Sequence, residues 1–388
     1  MSTSINVSNK ASPDVLNNAM KMITNMNDNM ASGIILAMII ILVICVVIYY
    51  LYMKNLLSRE CSMMDTMYSN LNGYIKSVNP NDPNCQYTLK DYYVKTAYNC
   101  CSGGSYKNDY VSTCVLKDLL KQGVRGLDFE VYSLNDQPVV ATSTQDSYYV
   151  KETYNYVPFG DVMMIIANYA FSGSTCPNPN DPILFHLRIK SANNAMYTNL
   201  ANMFKNYDSL FLGPSTSYEN NGHNIGDLKL TDLSKKIILI VEKPANATGS
   251  SVLNNKAFME YVNMVSNSMF MRALTYYNLQ NTPDLVELQN YNKKNMTIVL
   301  PDKGTNPANP NPIIGAEAGC QMVAMRYQLY ETNLQASIVQ FDRVGYAFSL
   351  KPERLRYTPT TIPAPPPQNP AVSYQTRTIS SDYYNFKM

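Results

Sequence analysis

Asp128 and Glu130, one residue apart in the segment GVRGLDFE, carry the most chemistry in this sequence. Successive side chains of an extended chain point to opposite faces, so this pair projects from one face and can hold a cation through oxygen. The segment PILFHLRIK, Pro182 to Lys190, has the same period: Ile183, Phe185, Leu187 and Ile189 share one face and leave His186, Arg188 and Lys190 on the other. Imidazole is scarce, since His186 and His223 are the only histidines. The eight cysteines, Cys45, Cys61, Cys85, Cys100, Cys101, Cys114, Cys176 and Cys320, contain no CxxC pair, and two histidines give no zinc spacing, which argues against a zinc enzyme. Cys100 and Cys101 could each bond a distant partner in an oxidising compartment, but buried thiols are the commoner state of scattered cysteines, and the compartment is not settled by them.

The elements that must position these side chains alternate. An extended run at Tyr92 to Tyr98 precedes a helix started by Ser112, with Val115, Leu116, Leu119 and Leu120 on one face and Gly123 as its stop. Strands follow at Arg125 to Tyr132 and Pro138 to Ala141, then a helix over Asp161 to Phe171, the strand PILFHLRIK, a helix around Ala195 to Tyr207 and the strand KKIILIVEK at Lys235 to Lys243. Repeated strand and helix alternation predicts an α/β fold with a parallel sheet or (β/α) barrel, in which sites lie at the C-terminal ends of strands.

With 31 Lys and Arg against 29 Asp and Glu, net charge is +2, and no nucleic-acid partner held by charge is implied. Abundant Asn, Tyr, Ile and Met and the absence of Trp suit an AT-rich genome such as that of a large DNA virus or a protist; a viral source would put the chain in a virion or host-derived membrane. Residues 33 to 53 contain no charge and are long enough, at about 1.5 Å per residue, to cross roughly 30 Å of hydrocarbon. The polar N-terminal segment 1–32 and the absence of a following small-residue cleavage site argue for a transmembrane helix over a signal peptide. Tyr49, Tyr50 and Tyr52 suit the interface, and the more basic C-terminal flank, Lys54 and Arg59, leans toward a cytoplasmic main domain. N-x-S/T triplets at Asn6, Asn246 and Asn295 would argue for the opposite side if glycosylated. The remaining division is a juxtamembrane linker 54–84 that extends the helix to about Asn70 before breaking, a barrel 85–357 and a Pro-rich, disordered tail 358–388 whose TIPAPPPQNP run could bind a protein partner.

GCQMVAMRYQ at Gly319 to Gln328 and FDRVGYAFSLKPERLR at Phe341 to Arg356, preceded by LPDKGTNPANPNP at Leu300 to Pro312, resemble the closing strands of the Y region of phosphoinositide-specific phospholipase C. DYYVKTAYN, GVRGLDFE, PVVATST, the YAF helix end, PILFHLRIK and DLSKKIILIVEK resemble the X region in the right order, so the likeness covers about Tyr87 to Arg356. It implies an irregular TIM-type barrel that cleaves an inositol phospholipid headgroup with two histidines and calcium, the membrane helix standing in for absent targeting modules.

Carried over residue by residue, the resemblance puts Tyr98 where the first histidine belongs and Thr142 where the second belongs. Asn99, Asp128 and Glu130 match calcium ligands, while a fourth, a glutamate, aligns with Arg188. A guanidinium there can neutralise both carboxylates, and a fixed cation repels a second one, so an internal ion pair is expected in place of calcium. The lysines the resemblance implies for ring phosphates fall at Ile240 and Glu242, and its arginine and tyrosine fall near Ile298 and Leu300, which disfavours a polyphosphorylated inositol. His186 reads as an interior or rim histidine. The resemblance and its departures together imply a membrane-anchored barrel that is catalytically inactive and serves as a binding or structural module. The alternatives are an active phosphoric diester hydrolase in which Tyr98 and His186 or Lys190 replace the imidazoles, although tyrosine with a pKa of about 10 is a poor acid–base group at neutral pH, and a glycosylated ectodomain with an adhesion or receptor role.

Overall fold

The computed structural model describes residues 17–18, 20–21, 28–145, 150–218, 224–243, 254–359, 363–366 and 376–388. His223, the triplets at Asn6 and Asn246 and most of the TIPAPPPQNP run lie outside them.

Side chains apolar on both faces make the central strands, and they pair side by side. The strands are β1 (Tyr92–Ala97), β2 (Gly126–Leu134), β3 (Gln137–Val140), β4 (Val157–Pro158), β5 (Ile183–Ile189), β6 (Ile237–Glu242), β7 (Val262–Ser266), β8 (Met271–Thr275), β9 (Met296–Leu300), β10 (Met322–Met325) and β11 (Phe348–Leu350). The order β7-β6-β5-β2-β1-β10-β9-β8 is parallel throughout, and its two end strands touch, so the sheet nearly closes into a barrel. β11 adds antiparallel to β1, and β3 folds back on β2. This is the expected irregular TIM-type α/β barrel, preceded by one apolar helix.

Period-2 alternation divides the core. Outward-facing Phe129, Phe185, Leu187 and Leu239 pack under the helices α2 (Thr113–Lys121), α3 (Phe159–Ile165) and α4 (Asn194–Lys205). Inward-facing Val94, Leu184, Ile238, Met296 and Met322 fill the barrel's lower half with apolar atoms. The charged interior residues Asp128, Glu130, His186 and Arg188 lie beyond them toward the mouth, at the C-terminal strand ends. Gly126 permits this at β2, because a Cβ there would lie 2.3 Å from Thr96 Oγ1 of the neighbouring strand. The Ser112 side chain accepts from Cys114 N–H at the start of α2, and Gly123 ends the turn beyond it at φ 71°.

The long helix α1 runs unbroken from Asp28 to Tyr68, and its segment 33–53 is exposed, long and apolar enough to cross a membrane. The helix runs on through the first part of the juxtamembrane stretch 54–84, which was expected to extend it to about Asn70, and this part is packed on the barrel. Met64 and Tyr68 are buried against the barrel, Tyr68 donates to the Tyr327 carbonyl at 2.8 Å, and Cys61 is disulfide-bonded to Cys114 of α2. The reason is the apolar stripe that α1 keeps after the charged residues begin, which has a partner in α2. Closing a loop of 53 residues contributes about 4 kcal/mol by chain entropy. Cys100 and Cys101 are buried thiols. The tail also differs from the disordered end expected of it: β12 (Thr378–Ser380) and β13 (Asn385–Lys387) form an antiparallel hairpin, with the Tyr384 and Phe386 rings 5.5 Å apart. There β-branched and aromatic residues outweigh the proline signal upstream.

Candidate functional site

β2 and β5 are in parallel register with Asp128 opposite His186 and Glu130 opposite Arg188, and all four side chains enter the barrel mouth fully buried. Arg188 grips both acids. Its Nε donates to Asp128 Oδ1 at 2.9 Å and its Nη2 to Asp128 Oδ2 at 2.7 Å, a two-pronged pair, while Nη1 donates to Glu130 Oε1. Nη2 also donates to Asn99 Oδ1 at 2.7 Å. Asn99 reaches this position because the chain turns sharply after β1, with Asn99 at φ 45°, a conformation asparagine tolerates.

The remaining oxygen valences are taken as well. His186 Nδ1 lies 2.7 Å from Asp128 Oδ1, and Asn99 N–H donates to Asp128 Oδ2 at 3.2 Å. Lys303 donates to Glu130 Oε1 at 3.2 Å, while Tyr132 O–H and Ser143 N–H donate to Glu130 Oε2 at 3.1 and 2.9 Å. Every carboxylate oxygen thus accepts from two donors, and the Asn99 oxygen from one. This donor-saturated set does not fit calcium, which needs lone pairs turned toward a shared centre.

Electrostatics follow from these contacts. Burial works to raise the Asp128 carboxyl, but the Arg188 guanidinium and the His186 hydrogen bond more than reverse it and hold the group well below the usual carboxylate range. Glu130 is likewise lowered against the effect of burial, by Arg188 and then by Lys303 and Lys190. Arg188 is pushed well above its ordinary value, the two acids overcoming its own desolvation.

The positions matching the lost histidines do other things. Tyr98 lies beneath Arg188, with the guanidinium carbon 4.5 Å from its ring centroid, and burial pushes its hydroxyl up, away from neutral-pH titration. Thr142 donates to the Tyr106 carbonyl at 3.1 Å. His186 is fully buried, with Nε2 3.5 Å from Ser266 Oγ, so its ring bridges Asp128 to β7. Lys190 stands 4.0 Å from Glu242. Ile240 and Ile298 are fully buried, and Leu300 nearly so.

Three participants escaped the sequence reading. Tyr132 continues the alternation of Asp128 and Glu130 and could have been found by extending it one step. Lys303 and Ser143 come from loops, where no periodicity predicts direction.

Residues 245–354 match the family described as phosphatidylinositol-specific phospholipase C, Y domain. No curated protein matches the chain. Among solved structures, PLC21 of L. pealei is 20% identical with a TM-score of 0.57, and PLC21 of S. officinalis is 20% identical with a TM-score of 0.54. Each match covers 70% of this chain and 38% of that one, so the chain spans well under half the length of these two proteins. A calcium-dependent phosphoinositol-specific phospholipase C from the Gram-negative bacterium Pseudomonas sp. matches at 11% identity and TM-score 0.43, over 69% of this chain and 97% of that one. The Y-domain match supports the family read from the sequence, and the likeness to the two PLC21 structures shows the fold.

Proposed function

We propose that the chain is a membrane-anchored, phospholipase C-like barrel whose mouth binds and does not cleave, a pseudoenzyme built on a lipid-headgroup scaffold. The observation that carries this reading is the Arg188 guanidinium seated between Asp128, Glu130 and Asn99, where it satisfies the acids without a metal. Phosphodiester cleavage by a neighbouring hydroxyl needs a group that takes a proton and one that gives it, near neutral pKa. Tyr98 is buried under a cation, Thr142 does not titrate, and the His186 ring is held in the Asp128 and Ser266 contacts. Apolar Ile240 and Ile298 disfavour a polyphosphorylated inositol as the bound headgroup.

The test is phosphodiesterase activity of the full chain on phosphatidylinositol vesicles, with calcium or with chelator, beside Asp128→Asn. The expected result is no turnover above that variant. Turnover that disappears in Asp128→Asn would overturn the reading and make Tyr98, His186 and Arg188 the next residues to replace.

A second reading concerns the side of the membrane. The Cys61–Cys114 disulfide favours a barrel in an oxidising compartment, where such bonds persist, against the cytoplasmic lean of the flanking charges. The half-exposed Asn295 of an N-x-T triplet is compatible with that side. Thiols alkylated in intact cells before lysis should leave Cys61 and Cys114 recoverable as one linked peptide. Finding both alkylated instead would return the barrel to the cytoplasm.

A further inference from the structure

A second polar concavity lies at the end of the barrel away from the Arg188 ion pair. The helix α5 (Leu285–Lys294) leads into β9 at Met296, so its C-terminus sits at the strand-start end. β11 runs antiparallel to β1 and leaves it where Leu350 faces Tyr92, the first residue of β1, so the turn Glu353–Leu355 that follows lies at the same end. Between α5 and this turn is a groove of about 540 Å³ whose lining includes Lys293, Lys294, Arg354, Arg356 and Tyr357, with Glu353 the only acid among its described lining residues. That volume suits a small molecule.

Cations at a helix C-terminus can serve only to satisfy its last carbonyls and its dipole. Here other side chains reach those carbonyls. That of Asn292 accepts from Lys351 Nζ and from Gln321 Nε2, each at 3.0 Å, that of Lys294 from Asn224 Nδ2 at 2.7 Å, and that of Asn295 from Gln321 Nε2 at 2.9 Å. The groove cations are not spent in ion pairs either: among the described residues none of Lys293, Lys294, Arg354 and Arg356 forms one, whereas neighbouring Lys90 is paired with Asp227. Arg356 stacks on Tyr87, its guanidinium carbon 4.4 Å from the ring centroid, and its buried Nε has no acceptor. The Tyr357 ring is held at the groove wall by Lys90 and Lys294, whose ammonium groups lie 5.7 and 5.4 Å from its centroid. In a chain of net charge +2, four cations against one acid in a single concavity leave a local positive field that calls for a counter-charge.

We propose that this groove is a binding site for a soluble anion carrying two or more linked phosphoryl groups. A single carboxylate would leave most of the positive charge uncompensated, whereas clustered phosphoryl oxygens can meet the planar donor forks of the two arginines and the point charges of the two lysines together. Apart from the Tyr357 ring the described lining is polar or charged, with no aliphatic side chain to receive an acyl chain, which favours a water-soluble ligand over a lipid. The site is separate from the mouth and stands whether or not the mouth cleaves anything.

The test is calorimetric titration of the full chain in detergent with sodium tripolyphosphate at low salt, beside a double variant, Lys294→Gln with Arg354→Gln. Both side chains are exposed, so the variant should fold, which its melting temperature checks. A second double variant, Lys205→Gln with Lys256→Gln, removes the same charge from exposed positions at and beside the end of α4. The expected result is saturable binding to the parent, weakened by at least about tenfold in the groove variant and unchanged in the α4 variant. Orthophosphate should bind the parent at least about tenfold more weakly than tripolyphosphate, because it spans fewer of the cations. Absence of saturable binding at millimolar tripolyphosphate would overturn the proposal, as would unchanged affinity in the groove variant. Equal weakening in both double variants would overturn it too, by showing attraction to overall charge. Micelles of dioctanoyl phosphatidic acid separate the two sources of phosphate: binding to them with none to tripolyphosphate would assign the groove to lipid and overturn the soluble ligand.

Discussion

Replacing Arg188 by methionine is expected to destabilise the barrel by about 3–5 kcal/mol, because it strands two fully buried carboxylates. Methionine keeps much of the volume, so the loss is electrostatic more than steric. Lys303 and His186 stay in contact with Glu130 and Asp128, which sets the expectation toward the lower end of that range. Thermal unfolding of the full chain in detergent should show a fall on the order of 10 °C.

The pH dependence distinguishes this from simple cavity formation. In the parent chain both carboxyls are held below their ordinary range, so their contribution to stability is full above about pH 4 and is lost only as pH falls through the lowered folded values. Without Arg188 the burial effect remains and raises both groups. Their neutral forms then fit the folded state, and the variant's relative stability is greatest in acid and declines as pH rises through the raised folded values. The gap between parent and variant should therefore shrink between pH 7 and about pH 4.5. A gap independent of pH would mean that the acids are not the source of the loss. Glu130→Gln added to Arg188→Met should recover part of the stability at pH 7 by removing one stranded charge.

Why so much was legible in advance follows from the period of β-structure. Asp128 and Glu130 share a face, and His186, Arg188 and Lys190 share another, whatever the fold. A parallel barrel then makes both faces interior and registers Glu130 against Arg188. The apolar helix was equally plain, since 21 uncharged residues need no tertiary context. What escaped the sequence depends on loops and on packing at a distance. Lys303 reaches Glu130 from 173 residues away, through a segment with no repeat to aim it. The Cys61–Cys114 pairing was invisible because eight cysteines admit many partners, and only the docking of α1 on α2 brings these two within 5.8 Å between Cα atoms. The continuation of the helix past residue 54 was expected, but its packing on the barrel through Met64 and Tyr68 was not. The hairpin at 378–387 was overshadowed by prolines that precede it in the chain.

Arg188→Glu is expected to convert the mouth into a calcium site. The glutamate that the resemblance implies at this position would join Asp128, Glu130 and the Asn99 carbonyl, giving three carboxylates and a neutral oxygen, with water free to complete the six to eight ligands that calcium takes. In the parent chain the guanidinium occupies the space among these oxygens and repels a second cation strongly in a buried setting. Calcium should therefore leave its melting temperature unchanged. The variant without calcium has three mutually repelling buried acids and should melt well below the parent. Calcium at about a hundred times its dissociation constant would return about 2.7 kcal/mol, a rise of roughly 5–10 °C. Adding Asp128→Asn to the variant should abolish most of that rise, because it removes a charged ligand from the centre of the set. Equal stabilisation of parent and variant by calcium would show that Arg188 does not hold the place of the metal, and the binding-module reading would lose its main physical support. A rise confined to the variant would show that one side chain on β5 decides whether this barrel mouth is metal-dependent or closed by its own ion pair.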